Sequence, residues 1–195
     1  MTEKKKGYRL TKIYTRTGDQ GKTRIGDGRQ LSKSHPRIDA IGTVDELNSW
    51  MGMLLYALNQ GNDLNAPQLG QLQEIQHRLF DVGGELAMPG YQLITPEHTV
   101  SIEHLIDALN TPLPPLANFT LPGGGYTACH THIVRTVARR AERQILALQE
   151  SGESVNQPLL AYVNRLSDLF YVLGRHCARQ NEGEVLWQAS EKQKV

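Results

Sequence analysis

Cysteine is nearly missing from this 195-residue chain: Cys129 and Cys177 are the only two. Their separation matches no metal-ligand spacing, and two thiols cannot make a disulfide framework, so reduced cysteines in a cytosolic protein are the expectation. Aromatic residues are scarce at 6%. No run of about 18 apolar residues exists to span a membrane. The lysine-rich start, Met1 to Gly7, leads into no apolar segment of the kind a secretory signal needs. Excess charge is missing too, with 21 basic and 20 acidic residues for a net of +1. That balance argues against a general binder of nucleic acid or membrane surface and for a small-molecule partner met by local charge. Histidines are scattered, and His130 and His132 point about 200° apart on a helix, so they cannot share an ion. No protein metal site is expected, and no Ser/His/Asp or Cys/His nucleophile set is legible.

What is present is helix-forming: Leu, Ala, Arg, Glu and Gln are plentiful. Residues 1–37 lack helical periodicity and read as an extended or looped arm. Thereafter Val44, Leu47, Trp50, Met51, Leu54 and Leu55 recur at three- and four-residue spacing, predicting a helix from about 38 to 60. A second helix, about 68–87, rests on Leu69, Leu72, Ile75, Leu79, Phe80 and Val82. A shorter one spans 95–110, with Thr95 as N-cap, Pro96 in the first turn and Glu97 against the helix dipole. A proline- and glycine-rich connection, 111–125, precedes helices at about 126–150 and 157–181. Five helices with short connections predict an all-α fold: a five-helix bundle with an extended N-terminal arm. The organisation is one domain, with arm 1–37, bundle 38–187 and tail 188–195; in the tail region Val185, Leu186 and Trp187 are apolar enough to dock.

Two segments carry chemistry. From Ile133 to Arg143 the fourth helix gathers Arg135, Arg139, Arg140 and Arg143 within roughly 140° of its circumference, opposite Val134, Val137, Ala141, Ile145 and Leu148. Four guanidinium groups repel one another, and a polyphosphate would compensate them; a solvated face with ordinary ion pairs fits equally well. From Tyr14 to Thr23 two glycines bracket an Asp-containing turn among threonines and cations. Such a turn can present successive N–H groups as an anion-binding concavity, or it can be a plain β-turn. It is not a Walker A loop, because the spacing and the following helix are wrong. Asp45, Glu46 and Asn48 on the first helix, and Asn164, Arg165 and Asp168 on the last, are polar among apolar neighbours. The first group suits solvent or arginine pairing, and the second suits Arg139, Arg143 or a ligand.

In this order the motifs Tyr-Thr-Arg-Thr-Gly-Asp-x-Gly-x-Thr at 14–23, Ser-Lys-x-His-Pro-Arg at 32–37 and Gly-Thr-Val-Asp-Glu-Leu-Asn at 42–48 open the chain. Leu-Pro-Gly-Gly at 121–124, Arg-Thr-Val-x-Arg-Arg-Ala-Glu-Arg at 135–143 and Asn-Arg-Leu-Ser-Asp-Leu-Phe at 164–170 follow. Together they resemble the PduO-type ATP:cob(I)alamin adenosyltransferases, or corrinoid adenosyltransferases, over most of residues 11–187. The resemblance implies a homotrimeric helical bundle with active sites between subunits. It implies transfer of the 5′-deoxyadenosyl group of ATP to the cobalt of cob(I)alamin, with Mg²⁺ on the released triphosphate. Carried over position by position, Thr15, Arg16, Thr17, Gly18, Thr23 and Lys33 are the arm's ATP contacts. Arg139, Arg140, Glu142, Arg143 and Asn164 are the helix contacts. Asp45 and Arg135 resemble a pair that bridges subunits and supports corrinoid binding, and Phe119 resembles the aromatic that crowds the lower face of the corrin ring. A flavin-type reductase and an adenosylcobalamin-dependent enzyme are the implied functional partners, in the cytoplasm. Tyr126 and His130 depart from the small or apolar residues usual in the family before these arginines. Two other readings stand beside the enzyme: a nucleotide-binding delivery module, and a structural oligomer glued by Arg–Asp pairs.

Overall fold

The computed structural model describes residues 14–116 and 118–189. The expectations for the basic start and for the end of the tail, 190–195, lie outside the described residues. Five helices dominate: α1 (Pro36–Gln60), α2 (Ala66–Ala87), α3 (Pro96–Asn110), α4 (Tyr126–Glu150) and α5 (Gln157–Gln180). Helix α4 packs against both α1 and α5, with α2 beside α1 and α3 beside α5. Among the described residues no helix is long and apolar enough to cross a membrane.

Local chemistry sets the helix starts. His35 Nδ1 accepts the Arg37 N–H at 3.1 Å, capping α1 just before Pro36, so this helix begins two residues earlier than its periodicity suggests. Asn65 and Gln68 form a reciprocal capping box on α2, with bonds of 3.0 and 3.1 Å. On α3 the Thr95 N–H donates to His98 Nδ1 at 3.0 Å. Asn156 precedes α5 but leaves its amides uncapped, and its side chain donates instead to the Ile94 carbonyl and to Glu85.

The core runs the length of the bundle. Leu47, Met51 and Leu54 of α1 meet Val134, Ala141, Ile145 and Leu148 of α4 and Leu166, Phe170 and Leu173 of α5, all essentially without solvent contact. Each fully buried aliphatic or aromatic side chain contributes on the order of 2 kcal/mol. One expected member is absent: Phe80 is 75% exposed. Leu79 and Val82 already fill the buried stripe of α2, and the residue next to Leu79 is turned about 100° away from it.

Two short antiparallel strand pairs decorate the bundle, one in the arm expected to be extended or looped and one in the proline- and glycine-rich connection. In the arm, β1 (Lys22–Arg24) pairs antiparallel with β2 (Gln30–Ser32), with Thr23 opposite Leu31. At the other end, β3 (Thr120–Leu121) pairs with β4 (Val185–Leu186). The apolar residues of the tail therefore dock on the proline-rich connection, and the segment after Glu182 is ordered at least through this pair.

Candidate active site

The arm carries one half of the candidate site. Arg16 adopts φ 62°, a left-handed conformation unusual outside glycine, and its guanidinium lies 5.8 Å from the Tyr14 ring centroid. Gly21 N–H closes the turn on the Gly18 carbonyl at 3.2 Å, and Lys33 N–H donates to the Gly21 carbonyl at 2.8 Å. This folds β2 back over the loop. A Cβ added to Gly18 would stand 3.2 Å from Lys33 Nζ, so the ammonium sits directly above the glycine. Thr15 and Thr17 share a hydroxyl hydrogen bond of 2.8 Å. Thr17, Gly18, Lys22, Thr23, Arg24 and Gln30 line an open cavity of about 560 Å³. Hydroxyls, a glycine and two cations, Lys22 and Arg24, around one hollow, with the Lys33 ammonium beside Gly18, are the donors a polyphosphate requires.

Helix α4 carries the other half. Val134, Val137, Ala141, Ile145 and Leu148 are buried, which turns the arginine face away from the core. The four arginines differ. Arg140 pairs with Glu46 of α1. Arg143 donates back to the Arg139 carbonyl at 3.0 Å. Arg139 is exposed, and its guanidinium meets no partner among the described residues. Arg135 is half-buried, with its guanidinium 5.9 Å from the Tyr171 ring centroid.

On α5, Asn164 donates to Glu142 Oε1 at 2.6 Å, and Arg165 binds Glu103 at 3.0 Å and Asp168 at 2.8 Å. The polar residues of α5 thus do not pair with Arg139 or Arg143. Acidic neighbours one helix over or one turn away satisfy them, leaving Arg139 and Arg143 without an acidic partner among the described residues.

A third group surrounds Phe119, which is 77% exposed. With Leu116, Asn118 and Tyr171 it lines a shallow cavity of about 380 Å³. Trp187 holds it from behind: the Trp187 N–H donates to the Phe119 carbonyl at 2.8 Å, and the rings meet edge-on with centroids 6.3 Å apart. Tyr171 therefore connects Phe119 to Arg135. Sequence reading missed Tyr171 and the bracing by Trp187; the only trace was the apolar Val-Leu-Trp run near the end of the chain.

Nearby, His132 is buried against Gly174, and burial first, then the Arg135 charge, pushes its pKa below the usual histidine range. His130 points elsewhere, to the Tyr126 carbonyl at 2.9 Å. Burial drives the Cys177 thiol up to about 12, so it stays protonated and inert.

Asp45 is exposed and has no side-chain partner among the described residues; it does not touch Arg135 of its own chain. Within one protomer, no hydrogen bond or ion pair among the described residues ties the two halves of the site together: none joins the loop 14–24 to Arg139, Arg140 or Arg143.

Similarity to known proteins runs through all of these segments. The family profile for cobalamin adenosyltransferase matches residues 13–177. A cobalamin adenosyltransferase of Cupriavidus metallidurans is 48% identical over 93% of this chain and 97% of its own length. A corrinoid adenosyltransferase of Bacillus subtilis is 42% identical over 92% and 93%. Among solved structures, a phenylalanine-to-alanine variant of a PduO-type ATP:corrinoid adenosyltransferase from Lactobacillus reuteri, complexed with cobalamin and ATP, superposes with a TM-score of 0.83. It has 37% sequence identity and covers 91% of this chain and 100% of that one. An arginine-to-lysine variant of the Lactobacillus reuteri enzyme, complexed with ATP, gives a TM-score of 0.79 at 38% identity, covering 90% and 100%. Motifs, helical architecture and these likenesses agree, and the chain belongs to the cobalamin adenosyltransferase family.

Proposed function

We propose that this chain transfers the 5′-deoxyadenosyl group of ATP to the cobalt of cob(I)alamin, giving adenosylcobalamin and triphosphate. The observation that carries the reading is the pair of half-sites: a cation-lined hollow on the arm, and an arginine face on α4 where Arg140 meets Glu46 but Arg139 and Arg143 meet no acidic side chain among the described residues. Each suits one part of a polyphosphate nucleotide, and a homotrimer brings the arm of one subunit to α4 of the next. The active site is then formed at each subunit boundary.

In the reaction the cobalt(I) electron pair attacks C5′. That pair becomes the cobalt–carbon bond, the C5′–oxygen bond breaks, and triphosphate leaves with the electron pair of the broken C5′–oxygen bond. Cobalt is the nucleophile, so the protein's tasks are to align C5′ and to stabilise the leaving charge. Thr15, Arg16, Thr17, Gly18, Thr23 and Lys33 hold the nucleotide from the arm; Arg139, Arg140, Glu142, Arg143 and Asn164 hold it from α4 and α5. Arg140 is shared with Glu46 and Asn164 with Glu142, which presets their geometry before substrate arrives. Mg²⁺ enters as Mg-ATP, on the substrate's own phosphate oxygens.

Asp45 reaches Arg135 of the neighbouring subunit and closes the corrinoid side of the site. Phe119, exposed and braced by Trp187, occupies the lower face of the corrin ring and displaces the axial ligand, which eases reduction of cobalt(II). A flavin-type reductase supplies that electron, an adenosylcobalamin-dependent enzyme takes the product, and the setting is the cytoplasm. The test is anaerobic mixing of cob(I)alamin with Mg-ATP. Growth of the adenosylcobalamin spectrum at catalytic protein concentrations supports the reading, and stoichiometric ATP binding without it would reduce the chain to a carrier.

A further inference from the structure

The stretch at 32–37 is only half used by this reading. Lys33 stands over Gly18, which lines the nucleotide hollow, whereas Arg37, four residues on, is completely buried at the start of α1. Its Nη1 donates to the Leu86 carbonyl at 2.8 Å, and its Nη2 donates to Glu153 Oε2 at 2.5 Å and to the Ser154 carbonyl at 3.4 Å. One guanidinium thus joins the first turn of α1, the last turn of α2 and the α4–α5 turn.

Glu153 is shared in its turn. Arg29 Nη1, at the turn of the arm hairpin, lies 3.8 Å from its Oε1, and so does His35 Nε2. The neighbouring cations hold the Glu153 carboxyl below its usual range, the Arg37 hydrogen bond foremost. Beside this cluster the Gly26 N–H donates to the Ala87 carbonyl at 2.9 Å and Ile25 is buried. The hairpin is therefore anchored to the bundle at its turn, while its open end carries Gly18, Thr23 and Lys33.

A buried arginine is costly to desolvate, and an apolar side chain of similar volume commonly serves stability as well or better. Its use here calls for a directional role. We infer that the Arg37–Glu153 pair is a positioning latch, setting the angle at which the hairpin presents its phosphate-contacting loop to the neighbouring subunit. The inference rests on the arm being an ATP contact. Over a three-residue strand of about 10 Å, a tilt of about 10° moves the tip by about 2 Å, enough to break hydrogen bonds to phosphate.

The test is the double variant Arg37→Met/Glu153→Ala, which leaves no orphaned charge in the bundle. Its melting temperature should stay near that of the parent. Its KM for ATP should rise about tenfold, with kcat and corrinoid KM within about twofold. Hydrogen exchange should quicken in residues 18–33 and not in the five helices. Glu153→Gln, which keeps an acceptor for Arg37, is the milder second variant, with a rise of about threefold. An unchanged ATP KM, or exchange that quickens equally throughout the bundle, overturns the latch. Lys33→Ala separates the failures. If it raises ATP KM while the latch variants do not, the latch falls and the arm's role stands. If none of them moves ATP KM, the arm's role falls and the latch with it.

Discussion

At the scale of single residues, the exposed phenylalanine and the free arginine make the sharpest claims. Phe119 touches no part of the phosphate hollow. Phe119→Ala should keep ATP binding, measured by calorimetry, while turnover drops at least about tenfold; full turnover would remove Phe119 from the mechanism. Arg139 has no side-chain partner to lose among the described residues, so Arg139→Ala should leave stability unchanged. ATP KM should rise and transfer should slow together, by about 10- to 100-fold overall, as expected for a charge-assisted contact to a developing anion. A normal ATP KM in that variant counts against its role.

His132 sets a pH dependence. Its folded pKa is depressed, so the unfolded chain binds the proton more readily. Stability from this group is complete above the ordinary histidine value and is lost as pH falls from there toward the depressed one. Glu153, also depressed, adds a second loss at more acidic pH, below the usual carboxylate value. Thermal melts between about pH 7.5 and 5 should show falling stability, and His132→Gln should flatten the upper part of that slope. Stability that rises on acidification would contradict the assignment.

At the scale of elements, the connection before α4 is the critical joint. Gly124 holds φ +87°, and a Cβ there would lie 2.4 Å from Ala178 Cβ and 2.6 Å from the Gly183 carbonyl. Gly124→Ala should cost about 1–3 kcal/mol from the backbone conformation alone, more with the collision, and should free the β3–β4 pair that carries Phe119. A melting temperature within a degree or so of the parent would show the joint to be tolerant. The five helices were legible because their apolar stripes are long and periodic: α4 and α5 were bounded to within a residue. The strand pairs were not, because strands of two or three residues carry no usable alternation. Phe80 illustrates the opposite error, an apolar residue beside the stripe taken for a member of it. The arginine face was legible as a charge pattern, and arginine pairing was one of the two readings of Glu46, but which arginine it meets was not legible. Glu46 and Glu142 pair with Arg140 and Asn164 because of how helices pack, which no spacing within one helix reveals. Arg37 was invisible for the same reason, since its partners lie at positions 86, 153 and 154.

At the scale of the whole molecule, no hydrogen bond or ion pair among the described residues joins the two half-sites, and the proposed homotrimer completes each nucleotide site from two chains. Subunit mixing tests this most directly. Lys33→Ala damages only the arm, and Arg139→Ala damages only the helix face, so each homotrimer is impaired at all its sites. If the two variants are unfolded together and refolded at equal amounts, random assembly into closed cyclic trimers pairs an intact arm with an intact helix at about a quarter of the boundaries. Adenosylcobalamin formation should recover to about that fraction of the parent rate. Mixed trimers no more active than the separate variants would mean that arm and helix serve the same site from a single chain.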